Sequence, residues 1–343
     1  MLRYAILLLA GFFPISPNGK SATSSRLFDA DQRLLGRWDI SITTPGGEKP
    51  SWLEIEHSGR DALVGRFVGI VGSARPISII AASGDSLSFS IPHQWEDGNG
   101  DLTVRGRLHG TGLTGQMTFP DGRSFSWTAV RAPRLDRTSK PLWGASIRLL
   151  HANDLGGWHP SGPSNQWHVT KGVLSSPRSG TNLVTDRKFE DFKLHVEFRY
   201  PKESNSGVYL RGRDEVQIQD DFGNEPWNDR FSGIYGFISP SEMAARPAGE
   251  WQSYDITLVG RIVTVVANGR QVICNQEIPG ITGGALDSHE GEPGPLFLQG
   301  DHGPVEYRNI VVTPARQADA LKGSAANDSG ALQYYHFKML RGP

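Results

Sequence analysis

The stretch SNSGVYLRGRDEVQIQD, from Ser204 to Asp220, sets Asn205, Arg211, Glu215, Gln217, Gln219 and Asp220 within about two strand lengths. Side chains of an extended chain alternate between two faces. Asn205, Gly207, Tyr209 and Arg211 are therefore expected on one face of a first strand, and Glu215, Gln217 and Gln219 on one face of the next. Val208, Leu210, Val216 and Ile218 supply the opposite, core-facing side. A guanidinium, a carboxylate and amides beside a tyrosine ring form a surface that can hydrogen-bond a ligand with many hydroxyls. The plain alternative for any one of these residues is a solvated strand face, and Asp220-Asp221 reads first as turn residues, ahead of an acid/base or metal-ligand role.

A retaining glycosidase needs two carboxyls about 5 Å apart across the scissile bond. The register here offers Glu215 followed by two amides, so a second carboxylate would have to come from Asp220, Glu225, Glu242 or Asp301, or the chemistry differs. His302, in the glycine-rich run Leu298-Gln299-Gly300-Asp301-His302-Gly303, has the side chain best suited to proton transfer near neutral pH. Asp301 and Glu290 with His289 or His302 could hold a divalent cation. No metal-binding spacing supports one, and no cofactor is required. Trp158, Trp167, Trp227, Tyr235 and Trp251 are candidate stacking platforms, of which a sandwich would keep most in its core. The single cysteine, Cys274, reads as a small apolar filler. Phosphate loops, dinucleotide fingerprints and nucleophile elbows are absent from the sequence.

The elements that must position these residues are strands. With 41 glycines and 22 prolines among 343 residues, and almost no helical periodicity, the chain reads as all-β with room for two domains. Residues 1–24 read as an export signal, Arg3 preceding an apolar run from Tyr4 to Phe13 that is too short to span a bilayer. That places the protein in the periplasm or outside the cell, and a lone cysteine fits a chain without internal disulfides. Residues 30–133 read as about eight short strands in sequential hairpins, a small antiparallel β-barrel-like accessory domain with Trp38 as a core plug. Residues 134–141 read as a linker and 142–314 as a β-sandwich. Within the sandwich, Lys193–Tyr200 alternates cleanly, and Asn268-Gly269 signals a tight hairpin. Residues 315–343 read as a flexible tail. A net charge of −1 gives no electrostatic case for nucleic acid or an anionic membrane. Oligomeric state leaves no signature.

Residues 145–313 resemble the 3-keto-disaccharide hydrolase-like family, whose fold is a concanavalin-like jelly roll. The resemblance is carried in order by HANDLGGW, FEDFKLHVEFR, SNSGVYLRGRDEVQIQD, GIYG, PAGEWQSYDITLVG, NGRQVI, EPGPLFLQGDHG and EYRNIVV. Gln252, where the family often has Asn, and Phe297, where Met or Ile is common, are small departures. The resemblance implies glycosides already oxidised to a ketone at C3. Such a ketone acidifies the C2–H, so one base, donors for the enolate oxygen and an acid for the leaving group suffice. On that basis Glu215 or His302 does the acid/base work. Arg211 and Gln217 donate to oxygens, while Asn205, Tyr209 and Asp220, with Tyr235 and Gln299, orient the sugar. A non-catalytic carbohydrate-binding module is the main rival, and an ordinary endo-glycosidase the third reading.

Overall fold

The structure is a computed structural model that describes residues 32–59 and 62–316. The expected export signal, and the expected tail from residue 317 onward, lie outside the described residues.

The first unit is a closed barrel in which each strand pairs with its neighbours in sequence. Its strands are β1 (Gly36–Thr44), β2 (Gly47–Ser58), β3 (Ala62–Val68), β4 (Arg75–Ser83), β5 (Ser86–Pro92), β6 (Asp101–His109), β7 (Gly112–Thr118) and β8 (Ser124–Arg131). β8 closes on β1, with Trp38 opposite Arg131 and Thr43 opposite Ser126. Alternation selects the interior: Trp38, Ile40 and Ile42 of β1 and Leu102 and Val104 of β6 are buried in one core. Closure leaves this sheet without free edges.

The second unit is a two-sheet sandwich. Its strands begin with β9 (Ile147–Arg148), β10 (Trp158–Pro160), β11 (His168–Thr170), β12 (Val173–Ser176) and β13 (Leu183–Phe189). Then come β14 (Phe192–Arg199), β15 (Asn205–Leu210), β16 (Asp214–Gln219), β17 (Gln252–Val259) and β18 (Ile262–Ala267). β19 (Arg270–Glu277), β20 (Gly294–Leu298) and β21 (Val305–Pro314) complete it. One sheet runs β10-β13-β20-β15-β16; the other runs β11-β12-β21-β14-β17-β18-β19, with β9 paired to β21. Val196, Phe198, Val208, Val216, Ile218 and Tyr254 fill the space between them. The expected hairpin turn forms with both central residues left-handed, Asn268 at φ 52° and Gly269 at φ 82°. Among the described residues no helix is long and apolar enough to cross a membrane.

β2 breaks the alternation that a barrel strand with one wet face should show: Pro50 to Ile55 are all buried. The reason is the sandwich. Trp52 and Val68 on the outer barrel face pack against Ile281 of the second unit, with Phe237 edge-on to Trp52 at 5.4 Å. Burying Ile281 alone contributes about 1.5–3 kcal/mol. Polar ties frame the contact: Gly284 N donates to Ile70 O at 2.9 Å, and the Ser41 and Ser288 hydroxyls pair at 3.3 Å. Arg261 donates to Pro133 O and to Glu290.

Candidate active site

β15 and β16 pair in the register that the two polar faces require: Asn205 opposite Gln219, Gly207 opposite Gln217, and Tyr209 opposite Glu215. Val208, Leu210, Val216 and Ile218 point into the sandwich core. The opposite face floors a cavity of about 430 Å³ lined by Asn205, Tyr209, Glu215, Gln217, Phe297 and Gln299. Tyr235, Asn182, Asp301 and His302 line its sides. Most of the residues singled out from sequence meet here.

Glu215 lies buried across the neighbouring strand. A Cβ on Gly207 would sit 2.1 Å from Glu215 Oε1, so the carboxyl occupies space that only a glycine leaves. Burial pushes the Glu215 carboxyl up to about 8, against the opposing pull of the Tyr209 hydrogen bond and the His302 charge. The Tyr209 hydroxyl lies 2.9 Å from Glu215 Oε2 and 2.9 Å from Gly283 O. It has one proton, and a carbonyl can only accept. When that proton goes to Gly283, the contact with Glu215 is satisfied by a protonated carboxyl donating to the tyrosine oxygen. When Glu215 is ionised, Tyr209 donates to it instead. The two arrangements correspond to the two protonation states of the acid.

Past β20, His302 Nδ1 donates to Asp301 Oδ1 at 2.6 Å, which leaves Nε2 free. That bond, joined by the charges of Asp301 and Glu215, holds the imidazole above its usual value even though burial opposes it. Burial alone would raise Asp301, but His302 and then Asn182 bring it below the ordinary carboxylate range. Asn182 Nδ2 donates to its second oxygen at 3.2 Å. Asp301 is thus a second carboxylate in the cavity, yet both its oxygens are engaged.

Gln217 and Gln299 each keep a buried amide oxygen with no protein partner. Such groups are costly unless something else satisfies them. Both residues line the cavity, while these two oxygens are themselves shielded from solvent. Tyr235 is delivered by a segment that runs along the free edge of β16, its N–H donating to Glu215 O at 3.0 Å.

Two assignments from sequence need correction. Arg211 does not share the face of Tyr209, because β15 ends at Leu210 and Arg211 is the first left-handed residue of the turn (φ 54°, followed by Gly212 at φ 71°). Its guanidinium donates instead to Gly260 O at 3.0 Å and Asp214 Oδ2 at 3.4 Å, away from the cavity. Asp220 is a turn residue whose Oδ2 accepts from Glu203 N at 3.0 Å.

Other expectations change as well. Glu290, a possible metal partner of Asp301, is held by Arg261, and the described residues contain no group of three metal-ligating side chains. Cys274 is exposed rather than buried. Trp158 and Trp167 are core, Trp227 is exposed outside the cavity lining, and Trp251 is covered by Arg199 and Arg308. Gln252 is buried with its amide on Tyr200 and Arg246, remote from the chemistry.

Sequence reasoning missed Asn182, Phe297 and three barrel residues, Val71, Gly72 and Trp95. Phe297 stacks on Tyr209 with ring centroids 4.3 Å apart. Local pattern carries no signal for any of these, since each reaches the cavity through tertiary packing.

Residues 145–313 match the family described as the 3-keto-alpha-glucoside-1,2-lyase-like domain. The second unit of this chain belongs to that family. Membership of that family makes the unit carbohydrate-active in general terms. One structural relative, a candidate glycosyl hydrolase from Parabacteroides distasonis ATCC 8503, is 30% identical, with 49% of this chain and 82% of that chain covered and a TM-score of 0.43. A second from the same organism is 24% identical over 49% of this chain and 98% of its own, with a TM-score of 0.39. A β-glucanase from Bacillus licheniformis is 11% identical, covering 52% of this chain and all 100% of its own, with a TM-score of 0.36. No curated protein matches the chain.

Proposed function

We propose that this protein cleaves glycosides that carry a ketone at C3, by elimination across C1–C2 followed by hydration. The observation that carries this reading is Glu215 on the cavity floor, a carboxyl bonded to Tyr209 but free of any ion pair and raised to about 8 by burial. A base with that value is matched to proton abstraction near neutral pH. Ordinary double displacement would need a second free carboxyl, whereas Asp301 is bonded to His302 and Asn182.

In this mechanism ionised Glu215 takes the C2 proton, and the C–H electrons form an enolate on C2, C3 and the ketone oxygen. The enolate collapses to a C1–C2 double bond with the ketone restored, and the C1–O bond breaks. The departing oxygen takes a proton from the His302 imidazolium, which Asp301 orients. Water then adds, its hydroxyl to C1 and a proton to C2, so the net change is hydrolysis. The amides of Gln217 and Gln299 and the side chain of Asn205 hydrogen-bond the ketone and hydroxyls.

Turnover in deuterated water tests the reaction. Elimination and hydration leave solvent deuterium at C2 of the released sugar, beyond that in unreacted substrate. Glu215→Gln should lower kcat by about 10²–10⁴-fold with folding intact. Cleavage that leaves C2 undeuterated, binding without cleavage, or activity confined to unoxidised polysaccharide would each defeat the proposal.

A further inference from the structure

The family match begins at residue 145, yet the cavity wall does not stop at the sandwich. Val71, Gly72 and Trp95, all from the barrel, line it. Trp95 stands on the connection between β5 and β6 and leaves 68% of its surface exposed, while Glu215 on the floor leaves 3%. An exposed indole at the rim of a polar cavity has no packing role that requires a tryptophan there.

Its position is nonetheless built. Glu96, the next residue, is buried in an ion pair with Arg75, whose guanidinium also donates to Pro92 O at 2.9 Å. Gln94 on the other side accepts from Ser73 N at 2.9 Å. Gly72 is left-handed (φ 88°), and a Cβ there would approach Gln94 to 2.5 Å and the Trp95 ring to 3.2 Å. Tyr235 lines the same cavity. The strand order fixes part of the layout: Tyr235 lies beyond the β16 edge, Asp301 and His302 follow β20, and Trp95 lines the same cavity from the barrel.

We infer that Trp95 is a stacking platform contributed by the barrel, on which the second sugar of a 3-keto-disaccharide lies, so that the barrel sets the preference for the leaving group. This rests on the glycoside-cleaving reading above. The ring that reacts must place its C2 against the buried acid/base groups. The ring it leaves behind is then nearer the mouth, where the exposed indole offers a flat apolar face to the C–H face of a pyranose.

The test compares a 3-keto-disaccharide with the methyl 3-keto-glucoside in the full-length protein. Trp95→Ala should lower the ratio of kcat/KM for the disaccharide over the methyl glycoside by about five- to tenfold, chiefly through KM, and Trp95→Phe should restore most of it. A ratio unchanged in Trp95→Ala, or a loss equal for both substrates, overturns the inference. If the wild-type protein turns over neither compound, the reaction proposed above falls. The platform is then judged by calorimetric binding of the same two compounds. Loss of the wild-type preference for the disaccharide in Trp95→Ala upholds it; a retained preference, or a wild-type protein that binds neither, overturns it.

Discussion

Gly207 decides where Glu215 can lie. The carboxyl fills the space a side chain would need, with Oε1 2.1 Å and Cδ 2.9 Å from an added Cβ. Both groups belong to paired strands and cannot retreat far, so Gly207→Ala is expected to cost about 1–3 kcal/mol. It should also lower kcat nearly as far as Glu215→Gln, measurable by thermal melting and turnover on one preparation. His302 acts on Glu215 at a distance. Its charge favours the ionised carboxylate, so His302→Gln should move the Glu215 limb of the pH–kcat/KM profile upward from about 8. A limb that stays in place would show that the two groups do not interact.

Among the elements, the β15–β16 hairpin explains why a correct pattern misplaced one residue. Period two holds from Asn205 to Leu210, and continuing it by one step puts Arg211 beside the sugar. The left-handed turn re-aims the side chain toward the buried Asp214 instead. Burial raises Asp214 to about 6, and Arg211 acts against that rise. Removing the guanidinium in Arg211→Met leaves the buried carboxylate at pH 7 with only the charges of Arg261 and Arg213 to oppose its desolvation, a loss of about 3 kcal/mol. The loss should shrink at pH 5, where Asp214 is protonated, and kcat/KM of the folded protein should hold. A large fall in kcat/KM at unchanged stability would return Arg211 to the reaction. β2 records the same lesson in the other direction: its unbroken burial makes sense only once the sandwich covers the outer barrel face.

At the scale of the whole molecule, the two units share a buried carboxyl pair. Burial and then the neighbouring Glu290 push the Asp39 carboxyl up to about 9, with Arg261 and Arg213 opposing. A carboxyl raised on folding holds a proton that the unfolded chain has lost. Its contribution is therefore fully present below the unfolded value near 4 and is lost progressively as pH rises toward 9. Asp39→Asn keeps a neutral donor beside Glu290 and removes the titration. The melting temperature of the wild type should fall from pH 6 to pH 9, and that of Asp39→Asn should fall less. Equal slopes would remove Asp39 from the account.

The alternation of apolar residues, the turn dipeptides and the ordered motifs of residues 145–313 determined a barrel followed by a sandwich, and a polar strand pair around Glu215. These are local properties, because strand periodicity and turn chemistry depend on a few neighbouring residues. Only the tertiary structure decided which polar groups meet. It removed Arg211 and Asp220 from the cavity, coupled His302 to Asp301, raised Glu215 by burying it over Gly207, and brought Trp95 in from the barrel. Desolvation and long-range docking arise from contacts between segments far apart in the chain, and no local pattern encodes them.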